Sequence, residues 1–145
     1  MIEVAVHNAH GDRRVESGRI RSLVHRVVKR EGYSNARVSV VFTDDRLSRR
    51  INRKFFGHDR PTDVMSFPLE DDGTIEGELY VNLDKAARQA GTYHVSRLNE
   101  IARLVIHGVL HLLGYDDTTR RAARRMKETE DYYVGLLAGK ELVQR

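Results

Sequence analysis

Two histidines, His107 and His111, stand four residues apart in the segment 96–113. Four residues along a helix is one face, with Cβ atoms about 6 Å apart, so both imidazoles can converge on one ion. Gly114 then turns the chain, and Asp116 and Asp117 follow at once. A carboxylate brought back over the helix end completes two nitrogens and one oxygen. On zinc, that set leaves one tetrahedral position for water, the pattern of a catalytic rather than a closed structural site. HxxxH alone is a weak signal, and three details strengthen it. The histidines interrupt an otherwise apolar helix, where a polar group without a partner is costly. Gly108 lies between them, although glycine costs about 1 kcal/mol inside a helix relative to alanine; a close approach of another backbone would explain it. The carboxylate pair waits just past the helix end. Position 108 is Gly where HExxH metalloproteases carry a general-base Glu, so peptide hydrolysis by that route is disfavoured. His7, His10, His25, His58 and His94 lack a partner at ligand spacing. His58, in the loop before Thr62, could line a cleft, but a surface position is the simpler reading.

The segment that carries the pair is the clearest element of the chain. Its second half is apolar almost all round, through Leu104, Val105, Ile106, Val109, Leu110, Leu112 and Leu113. That pattern belongs to a helix buried on most sides. Gly114 is placed to end it. Thr118 or Thr119 can cap a last helix with Ala122, Met126, Tyr133 and Leu136 or Leu137 turned inward. Upstream, residues 2–7 alternate apolar and polar, as a strand does. His10-Gly11-Asp12 reads as a turn, with Asp12 available to cap a helix over 13–31. There Ile20, Leu23, Val24, Val27 and Val28 recur at helical spacing, and Gly32 stops it. Residues 37–43 are rich in β-branched side chains and read as a strand. Asp44 and Asp45 can cap a short helix with Leu47, Ile51 and Phe55 along one stripe, broken by residues 57–61. Strands are expected at 63–67 and 78–82, joined by the acidic segment 70–77, and a short helix around 84–89. The main elements run β-α-β-α-β-β-α-α. Four strands with helices packed on them make one α/β (α+β) domain over residues 1–145. No dinucleotide fingerprint and no P-loop occurs.

Composition narrows the class. The chain has 145 residues, two prolines and no cysteine, enough length to bury a core and no thiolate metal site or disulfide framework. No stretch approaches the roughly 20 apolar residues that span a bilayer, so no membrane role is expected. The first ten residues carry Glu3 and no basic run, unlike a secretory leader, and a cytoplasmic protein is expected. Lys plus Arg is 25 against 21 for Asp plus Glu, and 20 of those bases are arginine. Arginine's planar fork pairs with phosphate in a bidentate way, so a basic, arginine-biased domain points to nucleic acid. A genomic preference for arginine codons would produce the same bias. Arg120, Arg121, Arg124 and Arg125 crowd the start of the last helix, where cations oppose the macrodipole. They lie a few residues from the candidate metal ligands and could meet RNA phosphates. The alternative is a solvated face partly neutralised by Glu128 and Glu130.

The run from His107 to Asp117, HGVLHLLGYDD, resembles the HGxLHLxGYDH signature of the YbeY family, metal-dependent endoribonucleases of rRNA maturation. A second block, 51–68, is similar to that family's asparagine–aromatic–glycine–PTDVLSFP segment through Asn52, Phe55, Gly57, Asp59 and the run from Pro61 to Pro68. Gly77-Glu78-Leu79 resembles a third, less specific block, with Glu where Asp is usual. The blocks occur in order and span nearly the whole chain.

The resemblance implies a zincin-like fold, with a small mixed sheet of about four strands and helices packed on it. It also implies one Zn²⁺ held by His107, His111 and the last signature residue, here Asp117. Most members carry His at that last position. Aspartate is an acceptable zinc ligand, but its charge should make bound water less acidic and could admit other divalent ions. Asp116 is the alternative ligand. The implied activity is single-strand-specific endonucleolysis in maturing the 3′ end of small-subunit rRNA and in ribosome quality control. The implied partners are RNA, the small ribosomal subunit and ribosome-assembly proteins. The strand 62–67, with Ser66 as a substrate contact, would form one cleft wall. Where the family usually has an arginine thought to act on substrate phosphate, this chain has Phe56. Arg60, in the adjoining loop, or Arg53, one turn back, could supply that charge. Arg120, Arg121 and Arg124 are further candidate RNA contacts. Glu78 and Glu100 are candidates for a general base, with nothing to rank them. Two rivals remain: a metal hydrolase of another bond, and a non-catalytic rRNA-binding assembly factor with a structural metal.

Overall fold

The fold is known from a computed structural model that describes residues 1–69 and 73–138. The elements are β1 (Ile2–Asn8), α1 (Ser17–Arg30), β2 (Ala36–Thr43), α2 (Asp45–Phe56), β3 (Val64–Pro68), β4 (Ile75–Asn82), α3 (Leu83–Tyr93), α4 (Arg97–Leu112) and α5 (Arg120–Ala138). The four strands form one sheet in the order β1-β2-β4-β3. β1, β2 and β4 run parallel, and β3 pairs antiparallel with β4 at the edge. Among the described residues no helix is long and apolar enough to cross a membrane.

Several expected elements shift. The first helix starts at Ser17 rather than Arg13, and Asp12 does not cap it. The intervening residues are committed elsewhere: Asn8 Nδ2 donates to the Arg13 carbonyl, and Arg13 Nε donates to Asp84. Asp44 is the cap of α2, its Oδ1 accepting from the Leu47 amide at 2.8 Å, and Gly57 at φ 73° closes that helix. The short helix expected near 84–89 runs for 11 residues and is capped by Asn82. Phe55, expected on the inward stripe of α2, is 58% exposed and leans edge-on against Phe67 of the edge strand β3. The segment 70–77 lies in part outside the described residues, as does the side chain of Leu137.

α4 is the centre of the molecule. Of its 16 residues, 12 are buried. It lies on β3 and β4 with α1, α3 and α5 around it. Its approach to the sheet is set by two glycines. A Cβ on Gly108 would stand 2.8 Å from Leu79 Cδ2 and 3.3 Å from Ser66 Oγ. A Cβ on Gly77 of β4 would stand 2.5 Å from Leu112 Cδ2. The close approach expected at Gly108 is therefore present, but side chains of β3 and β4 make it rather than a backbone.

Asp84 ties the N-terminal ends of α2 and α3 to the β1–α1 loop. It accepts from His10 Nε2 at 2.8 Å, Arg13 Nε at 3.0 Å and the Asp45 amide at 3.0 Å. Burial would raise its carboxyl, but these donors outweigh burial and hold it at about 2. The stabilisation is present above the ordinary carboxylate range and is lost as pH falls through it toward about 2.

Gly108→Ala gains about 1 kcal/mol of helix propensity but must push α4 off Leu79, an overpacking cost of roughly 1–3 kcal/mol. A net loss of stability is expected in denaturant titration, and a gain would show the contact to be slack. Asp84→Asn is expected to lose about 1 kcal/mol at neutral pH, after allowance for solvent screening. It should also flatten the acid limb of stability below about pH 4.

Candidate metal centre

The last turn of α4 ends at Gly114, whose φ of 100° lets its amide donate back to the His111 carbonyl. Tyr115 N then bonds the Leu110 carbonyl at 2.9 Å, which swings the chain back across the helix end. Glu31 holds this turn by accepting from Tyr115 Oη at 2.6 Å and from Tyr133 Oη of α5. Burial first, and the Glu31 carboxylate next, push both phenols above the usual tyrosine range. Thr119, not Thr118, caps α5, its Oγ1 accepting from the Ala122 amide.

This turn separates the two aspartates. Asp116 Oδ1 accepts from the Thr118 amide and hydroxyl, so it is occupied in shaping the loop. Asp117 points back to the histidines, with Oδ2 at 3.8 Å from His111 Nε2. The two Nε2 atoms lie 3.1 Å apart. One ligand atom from each of His107, His111 and Asp117 lies within 4.8 Å of the others, so the three could hold a metal ion. Zinc bonds of 2.0–2.2 Å in a tetrahedron put ligand atoms roughly 3.3–3.6 Å apart. The imidazole nitrogens, at 3.1 Å, stand a few tenths of an ångström inside that spacing, and Asp117, 51% exposed, has room to turn into place.

Behind the triad is a group that one of the two sequence readings of α5 would put on a solvated face. Glu130 is 6% exposed, not part of a solvated face. Its Oε2 lies 2.6 Å from His107 Nδ1. A carboxylate only accepts, so Nδ1 carries the proton and Nε2 turns its lone pair toward the ligand cluster. Arg103, one turn earlier on α4 and 1% exposed, reaches Glu130 Oε1 at 3.4 Å and Asp131 Oδ1 at 2.8 Å. Burial would lower the His107 pKa. Glu130, aided by the charges of Asp117 and Asp63, outweighs it and holds the ring raised. The signal was in the sequence: Glu130 shares the inward stripe of α5 with Met126 and Tyr133, and Arg103 interrupts an apolar helix.

The remaining site candidates scatter. Ser66 Oγ donates to the Gly108 carbonyl at 3.2 Å, which fastens the edge strand to α4. Arg53, on α2, and Arg60, in the loop after it, are exposed. Glu78 is on the sheet face away from α4, since its neighbour Leu79 faces Gly108, and it accepts from Tyr80 Oη. Glu100 is fully buried two turns before His107 and accepts from Gln89. Arg120, Arg121, Arg124 and Arg125 are exposed. Arg121 and Arg125 line a recess of about 520 Å³ with Tyr115 and Asp116, and Arg125 stands 5.3 Å from the Tyr115 ring centroid. A cleft of about 680 Å³ among His10, Arg13, Arg14 and Arg97 lies at the other end of α4, roughly 20 Å along the helix from His111.

Glu130→Gln keeps the side-chain shape and removes the charge. Outer-shell changes of this kind weaken metal binding about 10–100-fold. That loss is expected in zinc competition against a chromophoric chelator, and unaltered affinity would leave Glu130 with packing alone.

The chain matches the family model "Endoribonuclease YbeY" over residues 5–137. It is 37% identical to the endoribonuclease YbeY of Chlorobium phaeovibrioides over 134 residues, 92% of this chain and 90% of that one. It is 37% identical to the Salinibacter ruber protein of the same name over 140 residues, covering 90% and 89%. The solution structure of TM1509 from Thermotoga maritima superimposes with a TM-score of 0.71 at 28% identity, covering 94% of this chain and 90% of that one. With a matched model across nearly its whole length and relatives this similar, the chain belongs to the endoribonuclease YbeY family.

Proposed function

We propose that this endoribonuclease hydrolyses RNA phosphodiesters at a single zinc ion held by His107, His111 and Asp117, within one domain that spans residues 1–145. RNA is the substrate of an endoribonuclease. The observation that carries the site is the convergence of three ligand atoms within 4.8 Å at the end of α4. Zinc bound there would supply Lewis acidity to a phosphoryl oxygen and lower the pKa of bound water toward ~7. The protein's own part is positional. Glu130 holds His107 with Nε2 presented, and the Gly114 turn delivers Asp117. Ser66 anchors β3 as a wall beside α4. Arg60 and Arg53 are the cations proposed to offset charge on the phosphate in place of an arginine at position 56. Arg120, Arg121 and Arg124 are proposed as further phosphate contacts. The place of action proposed is the cytoplasm, on small-subunit rRNA, alongside ribosome-assembly proteins.

The test pairs metal content with cleavage. Purified wild type and Asp116→Ala are expected to hold about one zinc per chain, and Asp117→Ala and His107→Ala markedly less. Zinc-loaded wild type should cleave single-stranded RNA and leave casein intact, and His107→Ala should cleave neither. RNA binding without cleavage by either protein would replace the nuclease with a non-catalytic assembly factor.

A further inference from the structure

α2 has a surface that the metal centre does not use. Its 12 residues carry Arg46, Arg49, Arg50, Arg53 and Lys54 against one acid, Asp45, and all five cations are exposed. At the end of this basic helix Phe55 and Phe56 are 58% and 48% exposed. Both lean on Phe67 of β3, with ring centroids at 5.2 Å and 5.5 Å. Phe67 in turn meets Tyr80 of β4 edge-on at 5.5 Å. Four rings thus make a continuous aromatic surface from the end of α2 across the edge strand. Cations border it. Lys54 Nζ stands 5.3 Å from the Phe55 centroid, and Arg53 shares a helical stripe with Phe56.

Two exposed phenylalanines leave apolar area in water, an unfavourable state at about 25 cal/mol per Å². The occupant that suits them must be both flat and apolar and strongly anionic. Unpaired nucleotides meet both demands: their bases stack on aromatic faces, and their phosphates pair with bordering cations. A duplex hides its base faces. The place also fits. Ser66 bonds the Gly108 carbonyl, beside His107, while the next residue, Phe67, projects from the opposite face of the same edge strand. The rings and the candidate metal centre thus flank opposite faces of one edge strand, and an RNA strand passing over β3 would meet both.

We propose that Phe55, Phe56 and Phe67, with Arg53 and Lys54, form a stacking platform that holds unpaired RNA bases next to the cleavage site. Phe56, the ring at the family's usual arginine position, then grips base rather than phosphate. The proposal rests on RNA being the substrate.

Binding separates the two readings. The zinc-loaded protein is titrated into three labelled probes of equal length: a cleavage-resistant single strand with 2′-O-methyl riboses, the same backbone without bases, and a duplex. Phe55→Ala/Phe56→Ala is expected to lose about tenfold or more of its affinity for the single strand, since each stacked base contributes about 1–3 kcal/mol. It should bind the base-free strand as wild type does. Phe56→Trp should retain affinity and quench a 2-aminopurine in the probe. Arg53→Gln/Lys54→Gln should instead lower the salt slope on every probe. Melting temperatures of the exposed-ring variants check that they fold. Equal single-strand affinity in wild type and the double alanine variant overturns the platform while leaving the nuclease reading intact. So does a loss that is the same on the base-free strand, or a change of mass in sedimentation showing that the rings join two copies. Wild type that binds none of the probes overturns both.

Discussion

One helix has to satisfy two opposed demands. α4 is the core of this protein, yet it carries two imidazoles that reach toward solvent in a group that could hold a metal ion. The His107–Glu130 hydrogen bond reconciles them. It gives a largely buried imidazole a partner for the nitrogen that points inward, so the polar group is satisfied rather than stranded. It also leaves the outward nitrogen as a ligand. Arg103 balances the Glu130 charge, and the three residues join α4 to α5 through a polar contact inside an apolar core. A pair of this kind is strongly coupled, because removing one member leaves the other buried without its counter-charge.

The sheet adds a second constraint. β3 is the edge, and its antiparallel pairing with β4 puts Ser66 and Leu79 side by side beneath α4. Gly108 and Gly77 allow the helix to settle onto those positions. The candidate metal centre therefore sits at a boundary, with packed sheet on one side and open surface on the other. Substrate access needs such a place.

Much of the fold was legible because burial writes a period into the sequence. The alternation in β1, the β-branched run of β2 and the apolar stripe of α1 each followed from which side must face the core. The apolar circumference of α4 showed that it would be central. Boundaries were less legible where side chains elsewhere decide them. Arg13 stays outside the helix, its guanidinium donating to Asp84 far along the chain. Phe55 looked inward by spacing, but at the end of α2 it leans on the Phe67 ring of the edge strand and stays 58% exposed.

For the site, the sequence by itself determined the two imidazoles on one helical face, the turn at Gly114 and an acid just beyond it. These are local, set by helical pitch and by the one residue that adopts a positive φ without strain. The choice between Asp116 and Asp117 was not local. It depends on the Thr118 contacts and on Glu31 pinning Tyr115 and Tyr133 from two other elements. The pairing of Glu130, though not its inward place on α5, was hidden for the same reason, since a carboxylate 23 residues from His107 becomes its partner only when α5 packs on α4. Spacing along the chain states which groups can share a face, and only the packing of one face on another decides which charges are buried together.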